Sequence, residues 1–211
     1  MIAARYLRKW FDFYFTNYVP DWIDTALAGF GDGQALFFSD LGVIHPDVAQ
    51  AHEFDTDVLN LVETDTTLET VFLYRLARSI FVRDPLHPSL RYFAHLMKAK
   101  TTAEIYYSTE IGPRFRVEHG FGIVIGPRNK IGSDFIVHQG VTLGQRHMYS
   151  PHEKMTIGDH CIIGAGAKVL GMLTIGDHVK VAANSVLLTD AESHSTYAGI
   201  PAKKVKSAEP A

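Results

Sequence analysis

His119 is one of the side chains in this sequence that could move a proton at neutral pH. It stands in the run Glu118-His119-Gly120-Phe121, and a neutral imidazole can take up a proton at pH 7 and return it later in the same reaction. A second polar concentration lies between Gly144 and Thr156, where Arg146, His147, Tyr149, His152, Glu153 and Lys154 occur close together. Both runs interrupt an otherwise regular pattern, and that is what separates them from ordinary surface loops.

The pattern is a six-residue beat. Aliphatic residues return at Ile157, Ile163, Val169, Ile175, Val181 and Leu187, and earlier at Ile125, Ile131, Val137 and Leu143, with Ile111 and Val117 ahead of them. Small residues often follow, as in Ile157-Gly158, Ile163-Gly164 and Val181-Ala182. A period of six fits neither a helix nor an ordinary strand and marks a solenoid repeat. Three such steps per turn make a triangular coil of about 18 residues with its apolar corners stacked on one core. The interval from Val117 to Ile125 is eight, so two residues are inserted around His119. The interval from Leu143 to Ile157 is fourteen, so one coil carries a protruding loop over 144–156. Insertions in a solenoid cluster on its binding face, which points both interruptions toward function.

Ahead of the beat, residues 1 to about 103 read as helical. Ile2 to about Tyr18 is rich in aromatics and ends at Pro20; it reads as a packing or subunit-contact helix, with a membrane-surface helix as the alternative. Asp55 to about Val82 reads as a second helical stretch, with Thr66 or Thr67 as N-cap and Arg83-Asp84-Pro85 as its end. Leu90 to Thr101 reads as another. The expected organisation is a helical N-terminal domain over 1–103, a β-helix over 104–206 with its loop at 144–156, and a tail over 207–211.

The whole chain has 211 residues, 46% apolar and 20% charged, with a net charge of −3. No basic stripe suited to nucleic acid is present, and no apolar run approaches the ~20 residues of a membrane span. Cys161 is the only cysteine, so no intrachain disulfide or thiolate metal cage can form, and its repeat position predicts inert packing. The start carries Arg5, Arg8 and Lys9 followed by Trp10, Asp12 and Asn17. It does not read as a secretory leader, and a cytoplasmic location is expected.

Four segments resemble the hexapeptide-repeat acyltransferases, and within them the serine O-acetyltransferases. They are Glu118-His119-Gly120-Phe121-Gly122-Ile123-Val124-Ile125-Gly126, Gln139-Gly140-Val141-Thr142-Leu143-Gly144, Ile163-Gly164-Ala165-Gly166-Ala167-Lys168 and Ala198-Gly199-Ile200-Pro201-Ala202-Lys203. The resemblance covers about 104–206 well and is thin over 66–103. It implies an α+β chain: an α-helical N-terminal domain followed by a left-handed parallel β-helix of hexapeptide repeats. It also implies acetyl-CoA as co-substrate in a groove between coils, no metal, and a homotrimer or dimer of trimers.

Moving an acetyl group from a thioester to a hydroxyl needs a base, donors for the tetrahedral oxyanion and a partner to orient the base. By resemblance His119 takes the place of the general base and Glu104 that of its paired carboxylate, where the family usually has aspartate. Glu118 matches an acidic residue near the acceptor, and Glu53 and Asp57 are carried as further acceptor contacts. Gln145, Arg146, Ala165, Ala183, Pro201 and Lys203 (or Lys204) correspond to cofactor contacts. The chain departs from the family in the loop: where serine-using members place an arginine-histidine carboxylate clamp, it has Glu153 and Lys154. Arg146 with His147, or Lys154, supplies the positive charge if serine is the acceptor; otherwise the acceptor is a sugar or another alcohol. The plainer readings are a solvated turn histidine for His119, a surface glutamate for Glu104, and corner packing for Ala165 and Ala183.

Two rivals from other classes stand beside this one. A zinc β-helix enzyme of the γ-carbonic anhydrase type would gather His138, His147 and His152. A non-catalytic β-helix module would serve assembly alone. The family's docking to a cysteine synthase uses an isoleucine tail; this chain ends Glu209-Pro210-Ala211, so no such complex is expected.

Overall fold

A computed structural model describes residues 2–15, 21, 23–28, 30–48, 50, 53–146 and 154–207. Among the described residues six α-helices come first: α1 (Ile2–Tyr14), α2 (Ile23–Ala28), α3 (Gly31–Ile44), α4 (Thr56–Thr64), α5 (Thr66–Arg83) and α6 (Leu90–Thr101). α5 is their centre, with Leu68, Val71, Phe72, Leu73, Tyr74 and Leu76 all buried. The aromatics of α1 pack on this bundle: Tyr6 meets Phe72 edge-on at 5.6 Å and Phe11 meets Phe93 at 5.8 Å. Among the described residues no helix is long and apolar enough to cross a membrane.

The single helical stretch expected over Asp55–Val82 is two helices, and the expected cap at Thr66 or Thr67 is corrected to Asp65. Asp65 adopts an extended backbone (φ −112°, ψ 105°), closing α4 and opening α5 at once. Its Oδ1 accepts from Thr67 N at 2.8 Å, Leu68 N at 3.3 Å and Thr67 Oγ1 at 2.6 Å, while Oδ2 lies 3.0 Å from His45 Nε2. Burial pulls this carboxyl's pKa upward, but the bonds from Thr67, Leu68 and His45 outweigh it and hold the group below the ordinary aspartate value. The carboxylate outcompetes either threonine hydroxyl for the orphan helix N–H groups because it is charged and accepts from two of them. Asp65→Ala is expected to cost about 1–2 kcal/mol in urea unfolding, with Asp65→Asn restoring most of it; an unchanged midpoint would show the cap to be idle.

From Glu104 the chain coils. One face stacks β1 (Glu104–Ile105), β4 (Val124–Ile125), β7 (Thr142–Gly144), β10 (Lys168–Leu170) and β13 (Val186–Leu187). The second stacks β2 (Glu110–Ile111), β5 (Lys130–Ile131), β8 (Thr156–Ile157) and β11 (Thr174–Ile175). The third stacks β3 (Arg116–Glu118), β6 (Ile136–His138), β9 (Ile162–Ile163), β12 (Lys180–Val181) and β14 (Ser195–Gly199), closed by the antiparallel β15 (Ala202–Ser207). All other pairings are parallel, and every beat residue from Ile111 to Leu187 is buried. This is the helical-part-plus-parallel-solenoid class that the sequence implies.

The register measures the interruptions. Regular neighbours such as Val124↔Thr142 and Lys168↔Val186 are 18 residues apart. Arg116↔Ile136 are 20 apart, the excess of two expected around His119. Thr142↔Lys168 are 26 apart, the excess of eight expected from the loop. Inside the coil Phe115 stacks on Phe135 at 5.9 Å, with Cys161 and Val179 buried after them. Burial pushes the Cys161 thiol up to about 11, so at neutral pH it is a protonated packing group.

The helical part is locked to the first coil by a buried ion pair. Arg75 of α5 donates from Nε to Asp40 Oδ2 of α3 at 2.7 Å and from Nη2 to Oδ1 at 3.1 Å. The same guanidinium reaches the carbonyls of Ile111 and Gly112, each at 2.6 Å. Phe115 N donates to Asp40 Oδ1 at 2.8 Å. Both side chains are essentially inaccessible to solvent, so one salt bridge fixes two helices against the start of the β-helix.

Candidate active site

The corner between the third and first faces carries the candidate base. After β3 the chain turns through His119 (φ +61°) and Gly120 (φ +67°), two consecutive left-handed residues. Phe121 then rejoins the regular corner, its carbonyl accepting from Gly140 N at 2.9 Å. His119 and Gly120 are thus the two extra residues, pushed outward as a bulge, and His119 is exposed. A methyl group on Gly120 would lie 3.7 Å from Thr67 Cγ2, so the N-terminus of α5 closes one side of the bulge. Its two bonds to Asp65 hold Thr67 there.

Glu104 lies at the exit of the same corner. Its N–H donates to Ile123 O at 2.8 Å, and it pairs with Val124. The carboxylate, however, sits 2.8 Å from Lys98 Nζ in the last turn of α6, and among the described residues no hydrogen bond joins it to the His119 ring. Glu118 is half-buried on β3, opposite His138 of β6, and takes Arg116 Nε at 2.5 Å. Glu53 and Asp57 are exposed near the start of α4, and their carboxylates make no hydrogen bond or ion pair among the described residues.

Below His119 one corner column runs down the coil. Gly166 N donates to Gln139 O, and Asn184 N to Ala165 O, both at 2.8 Å. Gln139, Ala165 and Ala183 therefore follow one another at spacings of 26 and 18, and the Gly199-Ile200-Pro201 turn ends β14 at the same corner. With coils ~4.8 Å apart the strip from His119 to that turn is roughly 19 Å long. Lys203 is exposed beyond it, while Lys204 is held by Glu192 at 2.7 Å. Within the strip Gln139 Oε1 is buried and has no hydrogen-bond partner among the described residues, a costly arrangement unless a ligand donates to it. Lys168 Nζ donates to the Gly140 carbonyl and braces the corner. Glu118's ion-pair partner Arg116, the competing cation Lys98, the brace Lys168 and the buried Gln139 were not among the sequence candidates. For Gln139 and Lys168 the signal was their place in the glycine-rich motifs; the others become visible only through contacts across elements.

Gln145, Arg146 and Lys154 flank the loop at a different corner, between the first and second faces. Gln145 and Lys154 meet there with Gly126, Asn129 and Gly171, and Arg146 Cβ stands next to Gly171. Within one chain the width of the first face, about 10 Å for a three-residue strand, separates these residues from His119. His147, His152 and Glu153 lie outside the described residues. Among the described residues no three histidine, cysteine or acidic side chains gather in a way that could hold a metal ion.

Known proteins place this geometry in a family. The bacterial transferase hexapeptide (six repeats) family matches residues 154–189. A serine acetyltransferase of Bacillus pumilus is 37% identical over 147 residues, 70% of this chain and 67% of that protein. One from Helicobacter pylori is 36% identical over 138 residues, 65% of this chain and 80% of that protein. The chain belongs to the serine acetyltransferase family. It is an acyltransferase by that membership. Among solved structures, the serine acetyltransferase of Vibrio cholerae superposes with a TM-score of 0.73 at 25% identity, over 89% of this chain and 71% of that one. A serine acetyltransferase in complex with CoA superposes with a TM-score of 0.68 at 25% identity, over 87% and 73%.

Proposed function

We propose that this chain transfers acetyl from acetyl-CoA to the hydroxyl of serine, with His119 as general base. The observation that carries this reading is the single corner column that begins at the bulged imidazole and continues through Gln139, Ala165 and Ala183 to the Pro201 turn. Small side chains let a thin pantetheine arm approach the backbone, Gln139 Oε1 lacks a donor among the described residues, and Lys203 offers a cation to a phosphate at the far end. The relatives are named for serine, and one related structure holds CoA.

In the reaction the serine hydroxyl gives its proton to the His119 imidazole as its oxygen bonds to the acetyl carbon. The N–H groups of Gly120 and Gly122, which make no hydrogen bond among the described residues, are the available donors to the oxyanion. The carbon–sulfur bond then breaks, and the imidazolium returns its proton to the departing thiolate. Glu104 supports the imidazolium once its carboxylate turns from Lys98. Arg146 and Lys154 stand a face away from His119 in their own chain. A homotrimer that sets the loop corner of one subunit against the His119 corner of the next completes the site, and it is the assembly we infer.

The test is an acceptor panel read by free-thiol release from acetyl-CoA. L-Serine is expected to support the fastest release, ahead of threonine, serinol and simple sugars. Robust transfer to a sugar with none to serine would overturn the reading.

A further inference from the structure

We infer that Arg116 binds the carboxylate of the amino-acid acceptor, acting with Glu118 as a matched pair for a zwitterion; this rests on the serine reading given above. Arg116 and Glu118 alternate with buried Val117 on β3, so both project outward on one face. Their charged ends are in contact at 2.5 Å, with side chains 45% and 27% exposed. Glu118 immediately precedes the His119 bulge. Across the sheet they face Ile136 and His138, and Arg116 has no carboxylate partner other than Glu118 among the described residues.

An ion pair this exposed contributes little to folding, so stability gives weak reason for its place beside the base. An α-amino acid carries the same two charges, one carbon apart, and can divide the pair: its ammonium to Glu118, its carboxylate to the planar guanidinium fork. The hydroxymethyl group is then directed toward His119. Such an arrangement supplies from β3 the positive charge that Glu153 and Lys154 do not present as an arginine–histidine clamp. It also selects against neutral sugars, which would leave the pair desolvated without replacing its charges.

The test compares L-serine with serinol, in which a hydroxymethyl group replaces the carboxylate. In Arg116→Ala the KM for L-serine is expected to rise about tenfold to hundredfold, with KM for acetyl-CoA and the values for serinol within twofold of wild type. Arg116→Lys is expected to fall between, because a point charge replaces the fork. Equal losses for serine and serinol would show a merely structural role, and an unchanged serine KM would remove Arg116 from the site; either overturns the inference while the serine reading stands. Failure of the wild-type protein to acetylate serine at all would sink both.

Discussion

His119→Asn is expected to lower turnover about 10²–10⁴-fold at saturating acetyl-CoA and serine, while acetyl-CoA binding, read by calorimetry, stays within twofold. Asparagine is the informative replacement because His119 sits at φ +61°. Histidine and asparagine are both among the side chains enriched in that region, which alanine is not, so asparagine removes the base with the least change in backbone preference. The ring has no hydrogen bond or ion pair to give up among the described residues, and it is exposed. Folding should therefore be untouched, and the loss should fall on the chemical step. Glu104→Gln should cost less, because its carboxylate spends the free state on Lys98 and acts only through the imidazole. Wild-type turnover in His119→Asn would leave the bulge a structural turn and remove the base from the mechanism.

Much of the β-helix is legible in the sequence because each coil repeats one physical demand. A buried aliphatic side chain must return every sixth residue, so an excess of two or eight residues can be counted along the chain itself, and the 20- and 26-residue registers return those counts. The same counting places Ala165 and Ala183 one turn apart. The helical part is less legible. α3 carries three glycines and is apolar on most of its surface, so no clear periodicity separates it from its neighbours. The break at Asp65 is hidden by two adjacent threonines with good capping chemistry of their own. Contacts across elements leave no local pattern: Asp40 and Arg75 are 35 positions apart, and nothing near Glu104 announces Lys98.

The buried Asp40–Arg75 pair makes the last expectation the largest in stability. Arg75→Met leaves Asp40 without a counter-charge beside β2, and removing one member of a buried pair costs about 3–5 kcal/mol. Burial already pushes Asp40 up to about 6 from the ordinary 3.8, against the opposing pull of Arg75 and the N–H of Phe115. A carboxyl whose folded pKa is raised favours the fold while protonated, below about 3.8, and loses that contribution as pH rises through about 6. Without the guanidinium the folded pKa rises further and the window moves upward. Arg75→Met should therefore be weakest near pH 8 and recover part of its loss toward pH 5. The double variant Asp40→Leu, Arg75→Met removes both charges from the junction and should lie well above Arg75→Met in urea midpoint. Because the pair sits where α5 meets the coil that carries His119, the single variant should also lose activity before it unfolds, as Thr67 drifts from Gly120. A single variant as stable as wild type at pH 8 would mean that α3 and α5 are held to the β-helix by apolar packing alone.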